Sequence, residues 1–253
     1  MKIVVIGAGA AGLLASGKAA ETADEVVIIE KNDIIGKKLL ITGKGRCNIT
    51  NSADIEDMIG QYPRNAKFLY SALYTFTNDD IIRIIEENGV KTKVERGGRV
   101  FPVSDKSQDV VKALKKYALK PNVSLVHDTV KSLIISDGAV KGVKTSKTSI
   151  TADRVIICTG GKSYPRTGST GDGYKFAKQA GHTIIEPKAS LIPVLTEEKF
   201  VKDIMGLSLR NIKITAFNQK NKKVYSDFGE MLFTHFGISG PVVLSMSAYL
   251  KNI

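Results

Sequence analysis

The N-terminal part of the chain contains glycines whose spacing suits the binding of a dinucleotide. Gly7, Gly9 and Gly12 form the pattern G-x-G-x-x-G, with Ala10 and Ala11 between the last two glycines. In such a pattern the first glycine permits a tight turn, the second lets the main chain approach a pyrophosphate, and the third allows a helix to pack closely on a strand. These five residues are therefore predicted to form a dinucleotide-binding turn.

Glu30 is the acidic residue that a site of this kind requires. A carboxylate at the end of the second strand can accept hydrogen bonds from ribose hydroxyls, and it disfavours the 2′-phosphate of NADP. Lys31 follows directly and is also predicted to contact the cofactor. The ligand predicted from these residues alone is an adenine dinucleotide, either NAD or FAD.

Two strands and a helix must position these residues. KIVVIG is a continuous β-branched run typical of a strand buried on both faces, AAGLLASGKAAETA favours a helix, and EVVIIE predicts the next buried strand. Together they predict a βαβ unit with a right-handed crossover. The N terminus of its helix offers unpaired N–H groups and a partial positive charge to phosphates.

Composition limits the class of protein and its partners. The 253 residues are 43% hydrophobic and 25% charged, as expected of a globular protein with a substantial core. No apolar run reaches the roughly 20 residues of a membrane span, and no signal peptide is recognisable, so we expect a cytoplasmic protein that does not bind membranes. The formal charge of +12 raises nucleic acid as a partner, but dispersed lysines and few aromatic residues argue against it.

Residues for covalent or metal chemistry are sparse. Cys47 and Cys158 are far apart in the sequence, so neither a disulfide framework nor a redox pair is predicted. No metal-ligand cluster and no nucleophile–base pair stands out, so no metal and no catalytic residue is predicted. Electron chemistry would therefore come from a bound cofactor.

The remaining sequence predicts an interrupted sheet. A helical insertion is expected at about residues 52–120, and a β-meander that turns at Asp137-Gly138 precedes the buried strand DRVIICTGG. In a simple NAD dehydrogenase, βαβ repeats would instead follow Glu30 directly. The predicted helices are DIEDMIGQY, RNAKFLYSALYTF, TNDDIIRIIEENGV and SQDVVKALKKYAL, and the predicted strands include VSLVHDTV, SLIISDGAVKGVKT and SITA.

Several blocks together resemble one family. In chain order they are VIGAGAAGL, EKNDIIGKKLLITGKGRCNITN, GRVFPVSDKSQDVV, ICTGGKSYPRTGSTGDGY and GEMLFTHFGISGP. The chain resembles the two-dinucleotide-binding-domain flavoproteins and, more narrowly, the bacterial NAD(P)/FAD-dependent oxidoreductases of the aminoacetone-oxidase-like kind. The resemblance implies an α/β, Rossmann-like FAD-binding domain of the glutathione-reductase type at residues 1–185, with the start of a second, strand-rich substrate domain at 186–253. Members continue well beyond this length, which implies a fragment or a shortened form.

In this family the loop after the acidic strand end wraps FAD, and the corresponding loop here is residues 36–52. Its basic side chains would neutralise phosphate charge, and its polar side chains would bond the edge of the flavin. Cys47 would be a small residue packed beside the ring, the alternative being a covalent flavin thioether or a redox thiol. The residues implied are Lys37, Lys38, Arg46, Cys47, Asn48 and Thr50.

The resemblance also implies contacts from later strands. Thr159, Gly160 and Gly161 would form a second cofactor contact, and the backbone of Val130 would reach the adenine. The glycines of TGSTGDGY have the reverse spacing of a dinucleotide fingerprint. We therefore expect no dedicated nicotinamide site, which leaves NAD(P)H a role only as a transient electron donor.

The function implied is an FAD-dependent oxidoreductase that transfers hydride between flavin N5 and a small organic substrate. One alternative is a flavin-dependent RNA-modifying enzyme, suggested by the basic charge. Another is a non-catalytic dinucleotide-binding module. His235, in FTHFGISGP, could act as an acid, a base or a substrate anchor, or could simply orient a turn before a helix.

Overall fold

The computed structural model describes residues 1–250, which fall into two compact units. The first unit contains residues 1–59 and 67–184, and the second contains residues 60–66 and those from 185 onward. The sequence predicts a boundary after residue 185 and keeps residues 60–66 in the first domain. The cofactor and substrate roles of the two units remain predictions.

A parallel sheet forms the centre of the first unit. Its strand order is β10-β1-β2-β6, and all neighbouring strands run parallel. The strands of this unit are β1 (Lys2–Ile6), β2 (Glu25–Glu30), β3 (Thr50–Asn51), β4 (Thr92–Glu95), β5 (Arg99–Pro102), β6 (Val123–His127), β7 (Val130–Ser136), β8 (Ala139–Thr145), β9 (Ser149–Thr151) and β10 (Arg154–Ile157). The helices are α1 (Ala10–Ala19), α2 (Ile55–Gly60), α3 (Tyr70–Thr75), α4 (Asn78–Glu87), α5 (Ser107–Ala118) and α6 (Asp172–Gln179).

The central strands are apolar because both faces of the sheet are covered. On one face, Val4 and Ile29 pack with Val143 of the antiparallel meander β7-β8-β9 and with Phe176 of α6. On the other face, Ile28 packs among side chains of α1 and α5. Side chains alternate between faces along a strand, so a continuous apolar run fills both cores. The predicted βαβ unit is therefore confirmed.

The strand DRVIICTGG differs from its prediction. It forms β10, which among residues 1–250 pairs only with β1 and lies at the edge of the four-stranded sheet. Ile157, at the carboxyl end of β10, is 38% exposed and lines a cavity at the end of the sheet. An apolar sequence predicts a buried strand. It does not show whether that strand lies at the centre or at the edge of its sheet, and within residues 1–250 β10 lies at the edge.

The segment between β2 and β6 contains a small sheet as well as helices. Strands β3, β5 and β4 form a three-stranded antiparallel sheet. Helix α4 begins as predicted, because Thr77 and Asp80 form a capping box in which each side chain accepts from the other residue's backbone N–H. Helix α5 packs with α1 against the parallel sheet, so it belongs structurally to the Rossmann-like layer.

The second unit is an antiparallel sheet covered on one face by a helix. Its elements are β11 (Val194–Leu195), β12 (Ser208–Phe217), β13 (Lys223–Thr234), β14 (Gly237–Ser239) and α7 (Pro241–Ser247). The strand order is β11-β14-β13-β12, and Val243 of α7 is fully buried against the sheet. His235 lies in the turn between β13 and β14, with its ring edge-on to Phe236. No helix among residues 1–250 is long and apolar enough to cross a membrane.

Candidate dinucleotide-binding site

A cavity of about 670 Å³ lies at the carboxyl ends of β1, β2 and β10. Open parallel sheets bind ligands at this edge, where the turns that follow the strands diverge. Among residues 1–250, no three His, Cys, Asp or Glu side chains are grouped to hold a metal ion. The cavity is lined by Gly7, Gly9, Ala10, Ala11, Glu30, Lys31, Lys37, Lys38, Val130, Thr159, Gly160 and Gly161 of the predicted set.

Gly9 and Gly12 have different physical roles in the glycine-rich turn. A Cβ at Gly12 would lie 1.8 Å from the carbonyl oxygen of Gly7, so glycine there allows α1 to pack against the turn. A Cβ at Gly9 would meet no atom within 4 Å, and Gly9 lines the cavity. The fold therefore requires glycine at position 12, whereas at position 9 the missing side chain leaves space where a ligand can approach the main chain.

The carboxylate of Glu30 is held in place at the cavity wall. Glu30 as a whole is only 7% exposed. Oε2 accepts the backbone N–H of Ala8 at 2.7 Å, and Oε1 accepts the backbone N–H and the side-chain amide of Asn32 at 2.8 and 2.7 Å. A carboxylate offers about four acceptor positions, so one remains for a ribose hydroxyl. Glu30 thus fits the predicted role and also ties β2 to the glycine-rich turn.

Lys31 joins β2 to the N terminus of α6. Its ammonium donates to Thr170 Oγ1 and to Asp172 Oδ2, both at 2.7 Å. Partial burial raises the pKa of Asp172, but the hydrogen bonds from Lys31 and Thr170 outweigh it and the pKa lies below its ordinary value. Lys31 is predicted as a cofactor contact, and in this structure its charge is already paired.

Lys38 makes a second connection of the same kind. Its ammonium donates to the carbonyl oxygen of Ser163 at 2.8 Å and to the Ser169 hydroxyl at 2.6 Å. We call Lys31 and Lys38, with the segment 163–172 that they bind, the lysine clasp. Lys37 also lines the cavity and has no ion pair within the described chain, so its charge remains available to a phosphate.

Arg46 does not line the cavity. Its guanidinium forms ion pairs with Glu95 at 2.9 Å and Asp105 at 3.3 Å, and it lies 4.0 Å from the centre of the Phe101 ring. These contacts fix the loop that follows Leu39–Gly45 onto the β4–β5 hairpin. The predicted phosphate contact of Arg46 remains a prediction, but the observed partners give this side chain a structural role.

Cys47, Asn48 and Thr50 also lie outside the cavity lining. Cys47 is 1% exposed, and burial raises the pKa of its thiol. The Asn48 amide lies 3.0 Å from the carbonyl oxygen of Thr50, a residue that pairs with Val100 in the small sheet. Burial favours the packed interpretation of Cys47 over a reactive thiol, and the flavin contacts of all three remain predictions.

Several residues that line the cavity were not predicted from the sequence. Asn32 supports Glu30 and also donates to the carbonyl oxygen of Thr167 at 3.3 Å. Asp128 is buried, and a hydrogen bond from Ser146 is the largest of the contacts that lower the pKa of its carboxyl. The remaining unpredicted lining residues include Thr167, Gly168, Ser169, Asp172 and Tyr174. The block TGSTGDGY signalled most of them, but its sequence spacing did not indicate which side chains face the cavity.

The parallel sheet, the glycine-rich turn into α1 and the carboxylate at the end of β2 define the Rossmann-like α/β fold of FAD-binding domains, as predicted. The chain belongs to the family described as HI0933-like protein Rossmann domain, which matches residues 1–241.

The names of two curated relatives refer to different substrates. A Haemophilus influenzae protein named ribosomal RNA dihydrouridine synthase is 35% identical over 97% of this chain. A Clostridium scindens protein named 3-dehydro-bile acid delta(4,6)-reductase is 32% identical over 99% of it. The chain spans 61% of the length of each of these two curated relatives. The aminoacetone-oxidase-like assignment stays a prediction.

A solved structure is similar in fold. A flavocytochrome c3 fumarate reductase in its open conformation aligns with a TM-score of 0.58 at 17% sequence identity, covering 83% of this chain and 46% of the other. At this identity the similarity concerns the fold alone.

Proposed function

We propose that this chain forms the FAD-binding part of an oxidoreductase that reduces an activated double bond. The observation that carries the proposal is the cavity in which an open Gly9 and a held Glu30 carboxylate lie at the ends of adjacent parallel strands. An extended ligand with a pyrophosphate and a ribose suits this combination of groups. FAD is favoured over NAD by the family resemblance.

Each part of the cavity has a binding role in this proposal. The N-terminal N–H groups of α1, reached past Gly9, would bind the pyrophosphate, with Lys37 adding positive charge. Glu30 would accept from a ribose hydroxyl. Val130 and the residues Thr159–Gly161 line other parts of the same cavity and are proposed to contact FAD there.

The protein's contribution to the reaction is to bind and orient. When bound, FAD supplies the hydride chemistry. The lysine clasp holds segment 163–172 at the cavity, and Leu39 and Phe176 contribute apolar side chains to its lining. NAD(P)H is proposed as a transient electron donor, for which no separate site is assigned.

The direction of the reaction is proposed from the names of the relatives. The names dihydrouridine synthase and bile acid delta(4,6)-reductase both describe enzymes that reduce an unsaturated substrate. The substrate differs, being a base within RNA in one case and a small molecule in the other. Reduction is therefore favoured over oxidation of an amine.

A uridine within RNA is the second candidate substrate. The formal charge of +12 favours it, because polyanionic RNA is attracted to a basic protein. The similarity to the Haemophilus influenzae protein supports the same candidate. A small unsaturated carbonyl compound remains the first candidate.

The proposal is tested with freshly purified protein. We expect a flavin absorption spectrum in the near-ultraviolet and blue, release of the flavin on denaturation, and bleaching by NADH or NADPH without oxygen. Reoxidation is then followed with an α,β-unsaturated ketone and, separately, with uridine-containing RNA. A colourless protein that binds ADP-ribose compounds without turnover would instead support the non-catalytic module.

A further inference from the structure

A second cavity in the first unit lies away from the dinucleotide site. Its volume is about 490 Å³, and it is open to solvent between the end of α4, the end of β5 and one face of α5. It shares no lining residue with the first cavity. We call it the α5 cleft, and it is lined by Asn88, Gly89, Val90, Lys91, Val103, Ser104, Asp109, Lys112, Ala113 and Lys116.

The α5 cleft has an excess of positive charge. Three lysines and one carboxylate line it, which gives a formal charge of +2. On α5, Lys112 and Lys116 are four residues apart and so lie one helical turn apart on the same face. Lys91 belongs to the segment after α4, so positive charge comes from two elements of the cleft wall.

Protein partners neutralise little of this charge. Lys112 lies 3.8 Å from Asp109, and its side chain is 79% exposed. Neither Lys91 nor Lys116 forms an ion pair within residues 1–250. Lys91 and Lys116 can therefore exchange counter-ions for the phosphates of a polyanion, and the exposed pair of Lys112 with Asp109 is weak enough for Lys112 to do the same.

The lining of the cleft indicates which part of a nucleic acid it would meet. It contains no aromatic side chain on which a base could stack. Ser104 and Asn88 add polar side chains, and lysine ammonium groups bind phosphate as point charges. Such contacts position a nucleic acid without reading its sequence.

We propose that the α5 cleft binds the phosphate backbone of single-stranded RNA and so holds an RNA substrate on the first unit. This inference rests on the second candidate function, in which the reduced base belongs to RNA. It adds a binding surface that is separate from the dinucleotide cavity. Affinity at this surface should depend on chain length and salt concentration rather than on base sequence.

The test uses the whole protein and an oligouridylate labelled with a fluorophore. Binding is measured by anisotropy over a range of salt concentrations for wild type and for the triple variant Lys91→Gln, Lys112→Gln, Lys116→Gln. We expect the affinity to fall at least about tenfold. The slope of log affinity against log salt should become less steep by about 2, since each lost phosphate contact of a single strand removes about 0.7.

Two further variants make the result specific. The triple variant Lys141→Gln, Lys144→Gln, Lys178→Gln removes the same charge from exposed lysines outside the cleft and should lose much less affinity. The triple variant Lys91→Arg, Lys112→Arg, Lys116→Arg keeps the charge and should retain binding. Circular dichroism and flavin content confirm that each variant is folded and that the dinucleotide site is unaffected.

The possible results separate this inference from the proposed function. Equal losses of RNA affinity in the two glutamine variants would show that charge spread over the surface binds RNA. The proposal that the α5 cleft is the binding site would then be wrong. Absence of RNA binding at low salt would overturn both the proposal that the α5 cleft binds RNA and the proposal that RNA is the substrate. Flavin binding would stand in either case. Binding of a polyglutamate peptide in preference to RNA would also overturn the proposal.

Discussion

At the scale of single residues, Glu30 carries two functions at once. Its carboxylate is proposed to bind ribose, and it also satisfies the backbone N–H groups of Ala8 and Asn32 in a nearly buried position. A buried N–H without an acceptor is costly, so the carboxylate contributes to stability even without a ligand. The residue type at this position is therefore constrained by folding as well as by binding.

Substitution of Glu30 by Gln should weaken both functions. The amide nitrogen of Gln cannot accept the hydrogen bonds that one carboxylate oxygen now accepts, so a buried donor is left unpaired. We expect the free energy of unfolding to fall by about 1–3 kcal/mol and the affinity for FAD to fall with it. Urea unfolding and flavin fluorescence titration measure the two effects.

Glu25→Gln is the matched control at the other end of β2. Glu25 pairs with Lys2 at 2.8 Å and its side chain is 51% exposed, so its substitution should change stability by less than about 1 kcal/mol. If Glu30→Gln were as harmless as Glu25→Gln in both measurements, the role assigned to Glu30 would be wrong.

Connections between elements explain which residues were predictable. The glycine-rich turn and Glu30 were recognisable because their positions are set by local structure: a turn, a helix start and a strand end. The ion pairs of Arg46 were not predictable, because its partners Glu95 and Asp105 lie 49 and 59 residues further along the chain. The same holds for Lys31, whose partner Asp172 is 141 residues away. Sequence patterns report local geometry, whereas a lysine's partner depends on the tertiary fold.

More of the fold than of the site was predictable, because most helices and strands are set by local sequence patterns. A β-branched run such as Val4–Ile6 predicts a buried strand from its composition, and the segment TNDDIIRIIEENGV predicts the helix that forms α4. The small sheet of β3, β4 and β5 was not predicted as a unit, because β3 has only two residues and pairs across a long separation. Short strands of this kind carry almost no sequence signal.

The lysine clasp gives a pH-dependent prediction at the scale of elements. The pKa of Asp172 is lowered in the folded protein, so its contribution to stability is present above its ordinary value of 3.8 and is lost as the pH falls through the folded pKa. Lys31→Met should lower the free energy of unfolding by about 1 kcal/mol at neutral pH, a small amount because both side chains are partly exposed. Urea unfolding at several pH values should show the difference between variant and wild type shrinking below pH 3.8.

Lys175→Met is the control for this experiment. Lys175 approaches the other oxygen of Asp172 at 3.5 Å, but its side chain is 76% exposed, so the solvent screens the pair. Its effect should be smaller than that of Lys31→Met at every pH. A difference for Lys31→Met that persists unchanged at low pH would show that the charge pair with Asp172 is not its cause.

At the scale of the whole molecule, the first unit is organised around one edge of a parallel sheet. Strands β1, β2 and β10 end at the dinucleotide cavity, and α1, the lysine clasp and the start of α6 supply its walls. The α5 cleft lies on a different part of the same unit. The second unit has its own core around α7, and its assignment as the start of a substrate domain remains a prediction.

The central claim is that a dinucleotide passes over Gly9 at the end of β1, and Gly9→Val tests it most directly. The backbone at Gly9 is extended, with φ −82° and ψ −169°, and a side chain there meets no protein atom within 4 Å of its Cβ, so the variant should fold normally. We expect the variant to remain folded, with a stability loss of under about 1 kcal/mol because valine is a poorer N-cap residue than glycine, while its affinity for FAD, measured by fluorescence titration, falls at least about tenfold, or 1.4 kcal/mol. Gly12→Val, which would clash with Gly7, should instead lose the fold. A folded Gly9→Val protein that binds FAD as tightly as wild type would contradict the account.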